Sequence, residues 1–287
     1  MTFTSICQLA NLSGILLHDA VLISDMAENG TDPDDTRHQL SSYLSVILEE
    51  AELQYGKSHR TLTGLTGENA RSLSESHPRY VSEFTYMAMV TALSISESNA
   101  SMGRVVACPT AGASGVIPGI FYALQKRHSI PFDRLLEGYI ICSGIGNVIA
   151  THATLSGAVG GCQAEIGSAA AMGSGGLVYI SGGNAEQVGH AAALTLKSLM
   201  GLVCDPIGGY VEIPCVKRNA VGASIAISCA EMALGGVESF VPFDETVWAM
   251  QKVGASLSET LRETGQGGIA ITRTAKTWLT EGRHDNE

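Results

Sequence analysis

The feature that most constrains this chain is a succession of segments in which small apolar residues recur at helical spacing. Sustained period-two alternation, the mark of a half-buried strand, is nearly absent, and so are the two-residue turns that close hairpins. SAAAMGSGGLVYI (168–180) and NAVGASIAISCAEMALGG (219–236) are typical. Helices so rich in Ala, Gly and Ser depend on tertiary packing as well as on propensity. The 33 glycines among 287 residues are scattered with no three-residue period, which excludes a collagen-like chain. Apolar residues make up 45% and charged residues only 16%, against about 25% charged in an ordinary domain. This balance points to a large buried fraction or a large interface. The expected fold is mainly α: one compact helical domain over 1–287, with function in its Gly-rich loops.

Along the chain, residues 2–28 and 34–56 read as helical, the second ending at Gly56. The polar segment 57–72 reads as a loop. Residues 82–103 are expected to be a helix, 107–119 a loop, and 119–128 a helix. The apolar stretch 134–160 sustains no strand-like alternation and predicts broken helices. Segments 162–183, 184–204 and 219–236 predict small-residue helices, with Asn184 as an N-cap. DETVWAMQKVGASLSE (244–259) predicts a last helix before a Gly-rich tail, frayed beyond Thr280.

The net charge of −11 disfavours nucleic acid and anionic membrane surfaces as partners. The N-terminal MTFTSICQLANLSG has no basic region before its apolar residues, and no stretch reaches a membrane-spanning length of apolar residues. A cytoplasmic protein is expected.

Seven cysteines, an odd number without an export signal, argue against a disulfide framework. Cys7, Cys142 and Cys229 lie in apolar helical segments and read as small buried hydrophobes. CDPIGGYVEIPC (204–215) is different, because two cysteines bracket a turn rich in Pro and Gly. Its spacing is neither that of a zinc knuckle nor that of a small ferredoxin. Taken alone it leaves structural thiols, a bridge and metal ligation open. Cys162, at a predicted helix start after Gly160–Gly161, could gain as a thiolate from the free amides there. Cys162, Cys204 and Cys215 all fall at helix–loop junctions, where distant segments can converge.

Longer motifs add to this reading: GLTGENA (64–70), NASMGRVVACPTAGASGVIPG (99–119), SGAVGGCQAEIGSAAAM (156–172), MGLVCDPIGGYVEIPCVKRNAVGA (200–223) and LRETGQGG (261–268). Together they resemble the iron–sulfur-dependent L-serine dehydratases, in particular the catalytic α chain of the two-chain type, over nearly the whole sequence. The resemblance implies that Cys162, Cys204 and Cys215 hold a [4Fe-4S] cluster whose remaining iron engages the substrate. It implies conversion of L-serine to pyruvate and ammonia, a separate smaller β chain as partner, and a dimer of the resulting complex. Cys108 is not assigned as a ligand, although a thiolate there could compete for the open iron.

The Gly-rich 108–115 loop offers Thr110, Gly112, Ser114 and backbone amides to a substrate carboxylate. Thr63 and Thr66, with Gly64 and Gly67, are expected to form a second wall, and Asn99 a further contact. His152 is the candidate base, since an imidazole titrates near neutrality; the competing reading is a structural histidine. Glu97, Asn147, Glu165 and Lys217 are further polar candidates, and Arg218 or Arg104 is expected to aid carboxylate binding or to support the cluster electrostatically. Where relatives read Lys-Asn-Ala-Ser-Ile-Ser-Gly-Ala-Glu, this chain reads THATLSGAV (151–159), so that Thr151, His152 and Val159 replace Lys, Asn and Glu. These departures motivate two alternatives: a related lyase acting on threonine, cysteine or another β-substituted acid, and a non-catalytic subunit.

Overall fold

Local signals set the helix boundaries. In the computed structural model, which describes residues 1–281, helix α1 (Phe3–Ser13) is capped by Thr2, whose hydroxyl accepts from Ser5 N, and stops at Gly14 with φ 63°. Helix α2 (Leu17–Asn29) stops in the same left-handed way at Gly30. The Asp32 carboxylate and Pro33 start α3 (Pro33–Gln54). A short α4 (Asn69–Ser74) lies within the segment expected to be loop. The Ser82 hydroxyl caps α5 (Glu83–Ala100). A 3-10 turn at Ala111–Ala113 precedes α6 (Val116–His128), so the loop after Cys108 is shorter than the sequence suggests.

The stretch expected to be broken does break, but only at 153–156: α7 (Phe132–His152) runs unbroken across its glycines and is followed by the single turn α8 (Gly157–Gly160). Its glycines are points of close approach. A Cβ on Gly144 would meet Val21, and one on Gly146 would meet Met172. A π turn over Gln163–Gly167 leads into α9 (Ser168–Ile180). The Asn184–Gln187 capping box starts α10 (Ala185–Ser198). Helix α11 (Cys215–Leu234) begins at the second loop cysteine, four residues earlier than expected. Helix α12 (Phe243–Ser256) is not the last. After two 3-10 turns comes α13 (Arg273–Glu281), which buries only Ala275. The frayed tail expected beyond Thr280 lies, from 282 onward, outside the described residues.

No strand occurs among the described residues; the one bridge pairs Cys204 with Arg262. Helix α9 is the axis of the fold, with every residue buried. A helix apolar all round must be wrapped on all sides, and α6, α7, α10 and α11 surround it. Phe121, Ile140, Ile141 and Ile145 are fully buried around it. Each such side chain contributes about 1.5–3 kcal/mol by leaving water. Among the described residues no single helix is long and apolar enough to cross a membrane. The packing places the start of α9, the start of α11 and the loop between α10 and α11 at one end of the bundle.

Candidate active site

Three segments meet at this end. Cys162 opens the helical run that contains the π turn, Cys204 lies in the loop after α10, and Cys215 is the first residue of α11. Backbone and side-chain bonds fix them relative to one another. Gln163 donates from N to Leu202 O at 3.0 Å, and its Oε1 accepts from Gly201 N at 2.8 Å. The turn carrying Cys162 is thereby fastened to the chain leading into Cys204. Cys204 N donates to Leu261 O at 2.9 Å, and Glu263 N donates to Cys204 O at 2.7 Å. The LRETGQGG segment thus runs beside Cys204. π turns of this kind are frequently found at functional sites.

All seven cysteines are free thiols, so Cys204 and Cys215 are not bridged. Burial pushes Cys162 up to about 11, with the Arg218 guanidinium opposing the rise and Glu165 adding to it. Burial pushes Cys215 up to about 12, with Cys162 next in effect. Cys204 rises further, through burial first and then through the adjacent Cys162 and Cys215 thiols. The three sulfurs therefore sense one another's charge, and metal-free they are held as thiols. Among the described residues no three donors converge closely enough to hold a single metal ion. Cys108 is a separate buried thiol, also pushed up to about 12 by desolvation, facing Val106 O and Ser114 O.

Two carboxylates accompany the thiols. Glu165 comes from the π turn; its Oε2 is 4.0 Å from Cys204 Sγ and its Oε1 accepts from Thr110 Oγ1 at 3.0 Å. Burial holds its pKa above the ordinary carboxylate value, Thr110 opposing and Glu263 adding. Two glycines leave room for it. A Cβ on Gly157 would collide with the Glu165 carboxylate, and one on Gly112 would come within 3.3 Å of Oε1. Glu263 adopts φ 64°, a conformation that costs a residue with a Cβ on the order of 1 kcal/mol, and its charge is felt by Cys204, Cys215 and Glu165. Sequence reasoning did not single out Glu263; the one signal was its place in the LRETGQGG motif.

The sequence-predicted residues fall into two groups. Thr110 and Gly112 stand at Glu165. Ser114 is fully buried nearby, its hydroxyl without a partner among the described residues. Thr63 and Thr66 reach the same end of the molecule, but both hydroxyls donate to Glu212 Oε2, at 2.7 and 2.8 Å, and Thr63 N donates to Oε1 at 2.9 Å. Asn99 is half-buried in the last turn of α5. His152 is not brought to the thiols. It ends α7, exposed, with Nε2 2.7 Å from Met1 O, and so the structural reading of this histidine is the one its surroundings favour. Among the polar candidates, Arg104 is largely exposed and lies 3.7 Å from Glu50. Arg218 is instead in the site, donating to Val203 O at 2.7 Å and Asp205 Oδ1 at 3.1 Å. Glu97 is buried under the 67–70 backbone, accepting from Gly67 N, Asn69 N, Asn69 Nδ2 and Ala70 N.

Comparison with known proteins decides the family. Residues 13–270 match the serine dehydratase alpha chain family. This chain belongs to that family. It is 42% identical over 278 residues to the L-serine dehydratase alpha chain of Peptoniphilus asaccharolyticus, covering 96% of this chain and 95% of that one. It is 41% identical over 266 residues to the probable L-serine dehydratase alpha chain of Bacillus subtilis, covering 91% and 88%. The match to L-serine dehydratase TdcG of Escherichia coli, 40% identical, covers 63% of this chain and only 40% of that longer protein. Membership of the serine dehydratase alpha chain family supports a lyase.

Proposed function

We propose that this chain is the catalytic subunit of an L-serine dehydratase that releases pyruvate and ammonia, and that Cys162, Cys204 and Cys215 hold a [4Fe-4S] cluster. The observation that carries the reading is the gathering of three buried thiols from three segments around Glu165, in a chain of this family. The donor set fits the group. Three thiolates buried together need cationic charge, which an iron cluster supplies on deprotonated sulfur. Held by these three cysteines, such a cluster would supply a Lewis acid for the departing β-hydroxyl.

The chain's own residues supply the rest. The first amides of the 3-10 turn at Ala111 and Gly112 have no acceptor within the turn and can receive the substrate carboxylate. Glu165 Oε2, facing Cys204, is placed to carry a proton between the substrate's α carbon and the leaving oxygen. Thr110 orients that carboxyl through Oε1. Loss of the α proton and the β-hydroxyl leaves an enamine, which tautomerises and hydrolyses to pyruvate and ammonia. Relatives named alpha chain belong to multi-chain enzymes, and the E. coli protein extends well beyond the matched region; a separate β chain as partner completes the reading.

The test is anaerobic reconstitution with the partner chain, with iron and sulfide content, pyruvate release from L-serine, and electron paramagnetic resonance before and after serine. Ser substitutions at Cys162, Cys204 or Cys215 are expected to lose iron, and the same change at Cys142 or Cys229 to retain it. Iron-loaded protein with its partner that gives no pyruvate from L-serine, but releases 2-oxobutanoate from L-threonine or pyruvate and sulfide from L-cysteine, would move the assignment to the related substrate.

A further inference from the structure

Glu212 lies inside the 204–215 loop, three residues before Cys215, and is 3% exposed. A carboxylate so buried ordinarily has a cation beside it. Glu212 has none among the described residues; what it has is the backbone and two hydroxyls of a distant loop. Thr63 N donates to Oε1, and the Thr63 and Thr66 hydroxyls converge on Oε2. Thr63 Oγ1 in turn accepts from Leu65 N at 3.0 Å. The 61–68 segment has no helix of its own, so these bonds, together with Thr61 Oγ1 to Thr66 O at 3.0 Å and His59 N to Gly67 O at 2.8 Å, define its shape. Its far end is fixed separately, by Glu97 of α5 beneath Gly67, Asn69 and Ala70.

We propose that Glu212 is a positioning residue that latches the Thr63–Thr66 wall onto the cysteine loop, so that the geometry of the substrate pocket follows the geometry of that loop. The loop is suited to transmit such a dependence. Gly208 and Gly209 have φ of 65° and 78°, giving it a backbone that few other residues would adopt, while Cys204 and Cys215 fix its two ends. Val216 N donates to Glu212 O at 3.0 Å, joining the latch directly to the first turn of α11. The inference assigns Thr63 and Thr66 a role different from direct substrate contact: their hydroxyls are committed to Glu212 and act through it. It rests on the reading of this end of the bundle as the serine site, which pyruvate release by the unmodified enzyme tests separately.

The experiment compares the full chain, reconstituted with its partner, as the unmodified protein and as Glu212→Gln, Thr63→Val and Thr63→Ser. Hydrogen–deuterium exchange is read over 61–66 and 67–70, alongside iron content and steady-state kinetics. Replacing an acceptor of several bonds to a charged group is expected to raise exchange at 61–66 by roughly tenfold or more. Protection at 67–70, held by Glu97, is expected to persist, iron content to stay unchanged, and KM for L-serine to rise more than kcat falls. Thr63→Val is expected to reproduce these changes, and Thr63→Ser, which keeps the hydroxyl, to restore both exchange and KM. Unchanged exchange at 61–66 in Glu212→Gln would overturn the latch, as would a KM rise in Thr63→Ser equal to that in Thr63→Val. If the unmodified enzyme makes no pyruvate, the functional reading fails and the exchange measurements still decide the latch.

Discussion

Arg218 Nη2 donates to Asp205 Oδ1 at 3.1 Å, and this pair joins three pieces of the active end. Arg218 is on α11, and its other terminal nitrogen holds Val203 O. Asp205 follows Cys204, and its second oxygen accepts from Ile269 N at 2.8 Å. The pair is well buried, with side chains 18% and 3% exposed. Breaking a buried pair from one side leaves a charge without a partner, which costs about 3–5 kcal/mol. Arg218→Met is therefore expected to lower the unfolding free energy by about that amount, read from urea midpoints. Asp205→Asn keeps an acceptor for one neighbour and is expected to cost less, about 1–3 kcal/mol. Arg218→Lys cannot reach Val203 O and Asp205 together in the planar geometry of a guanidinium, and is expected to fall between them.

A second prediction concerns Asn219, which is fully buried one turn into α11. Its Oδ1 accepts from Gly115 N at 2.9 Å, while Nδ2 donates to Gly112 O at 2.8 Å and Cys215 O at 3.0 Å. One amide thus ties the 110–115 loop to a thiol-bearing residue, and it uses both of its chemical ends. Asn219→Asp keeps the shape but turns two donated bonds into two carbonyls facing a carboxylate. A cost of about 2–3 kcal/mol is expected from the unsatisfied carbonyls. Activity is expected to fall even where the protein remains folded, because Gly112 and Thr110 would lose their register against Glu165. Circular dichroism with pyruvate release distinguishes the two effects.

The mainly helical fold was legible because period-two alternation is missing, and small-residue segments such as 168–180 can be stable only as packed helices. What local pattern could not give was the effect of partners. The 134–160 stretch breaks only after His152, and α7 runs unbroken through Gly138, Gly144 and Gly146 because Ile180, Val21 and Met172 fill the space those glycines leave. Helix α13 is nine residues long and buries only Ala275, so a reading built on buried small-residue segments passes over it. At the site, the motifs located the segments around Cys162, Cys204 and Cys215 but not their neighbours. The bond from Thr63 to Glu212 spans 149 residues of sequence, and no periodicity records it. Glu263 adopts φ 64° two positions before Gly265, which is left-handed too at φ 66°, and nothing in its residue type marks it for that conformation. His152 drew attention by its residue type, and its position at the exposed end of α7 could only come from the fold.

A third prediction separates two kinds of glycine. A Cβ on Gly176 of α9 would stand 2.5 Å from Cys142 Sγ and 2.9 Å from Gly138 O, both on α7. Backbone cannot retreat as a flexible side chain can, so Gly176→Ala forces the two central helices apart. A loss of about 1–3 kcal/mol is expected, with a less cooperative thermal transition. Gly182 has φ 89° and open space where a Cβ would go. Gly182→Ala meets no steric neighbour and is strained only in its own backbone, for about 1 kcal/mol. Equal melting temperatures for the two variants would count against close helix packing as the reason for small residues in this core.

The last prediction follows from His18, a buried imidazole remote from the thiols. One ring nitrogen, Nδ1, is 2.7 Å from Tyr179 Oη, and Nε2 is 3.3 Å from Asp19 Oδ1. Burial pushes its pKa below the ordinary 6.5; Asp19 and Glu137 oppose the shift, and Arg37 and Arg134 add to it. The unfolded chain therefore takes up a proton at a higher pH than the folded one. The contribution of the neutral ring to stability is fully present above pH 6.5 and is lost as pH falls from there through the lower folded pKa. His18→Gln removes the titration while keeping a polar group near Tyr179. At pH 8 this variant is expected to be less stable than the unmodified protein by about 1 kcal/mol, for the imperfect hydrogen bond. Below pH 6.5 that gap is expected to close and then reverse, because only the unmodified protein must exclude a proton from the ring. Urea midpoints from pH 8 to pH 5 measure the gap directly, and a gap that stays constant or widens on acidification would show that His18 is charged in the folded protein.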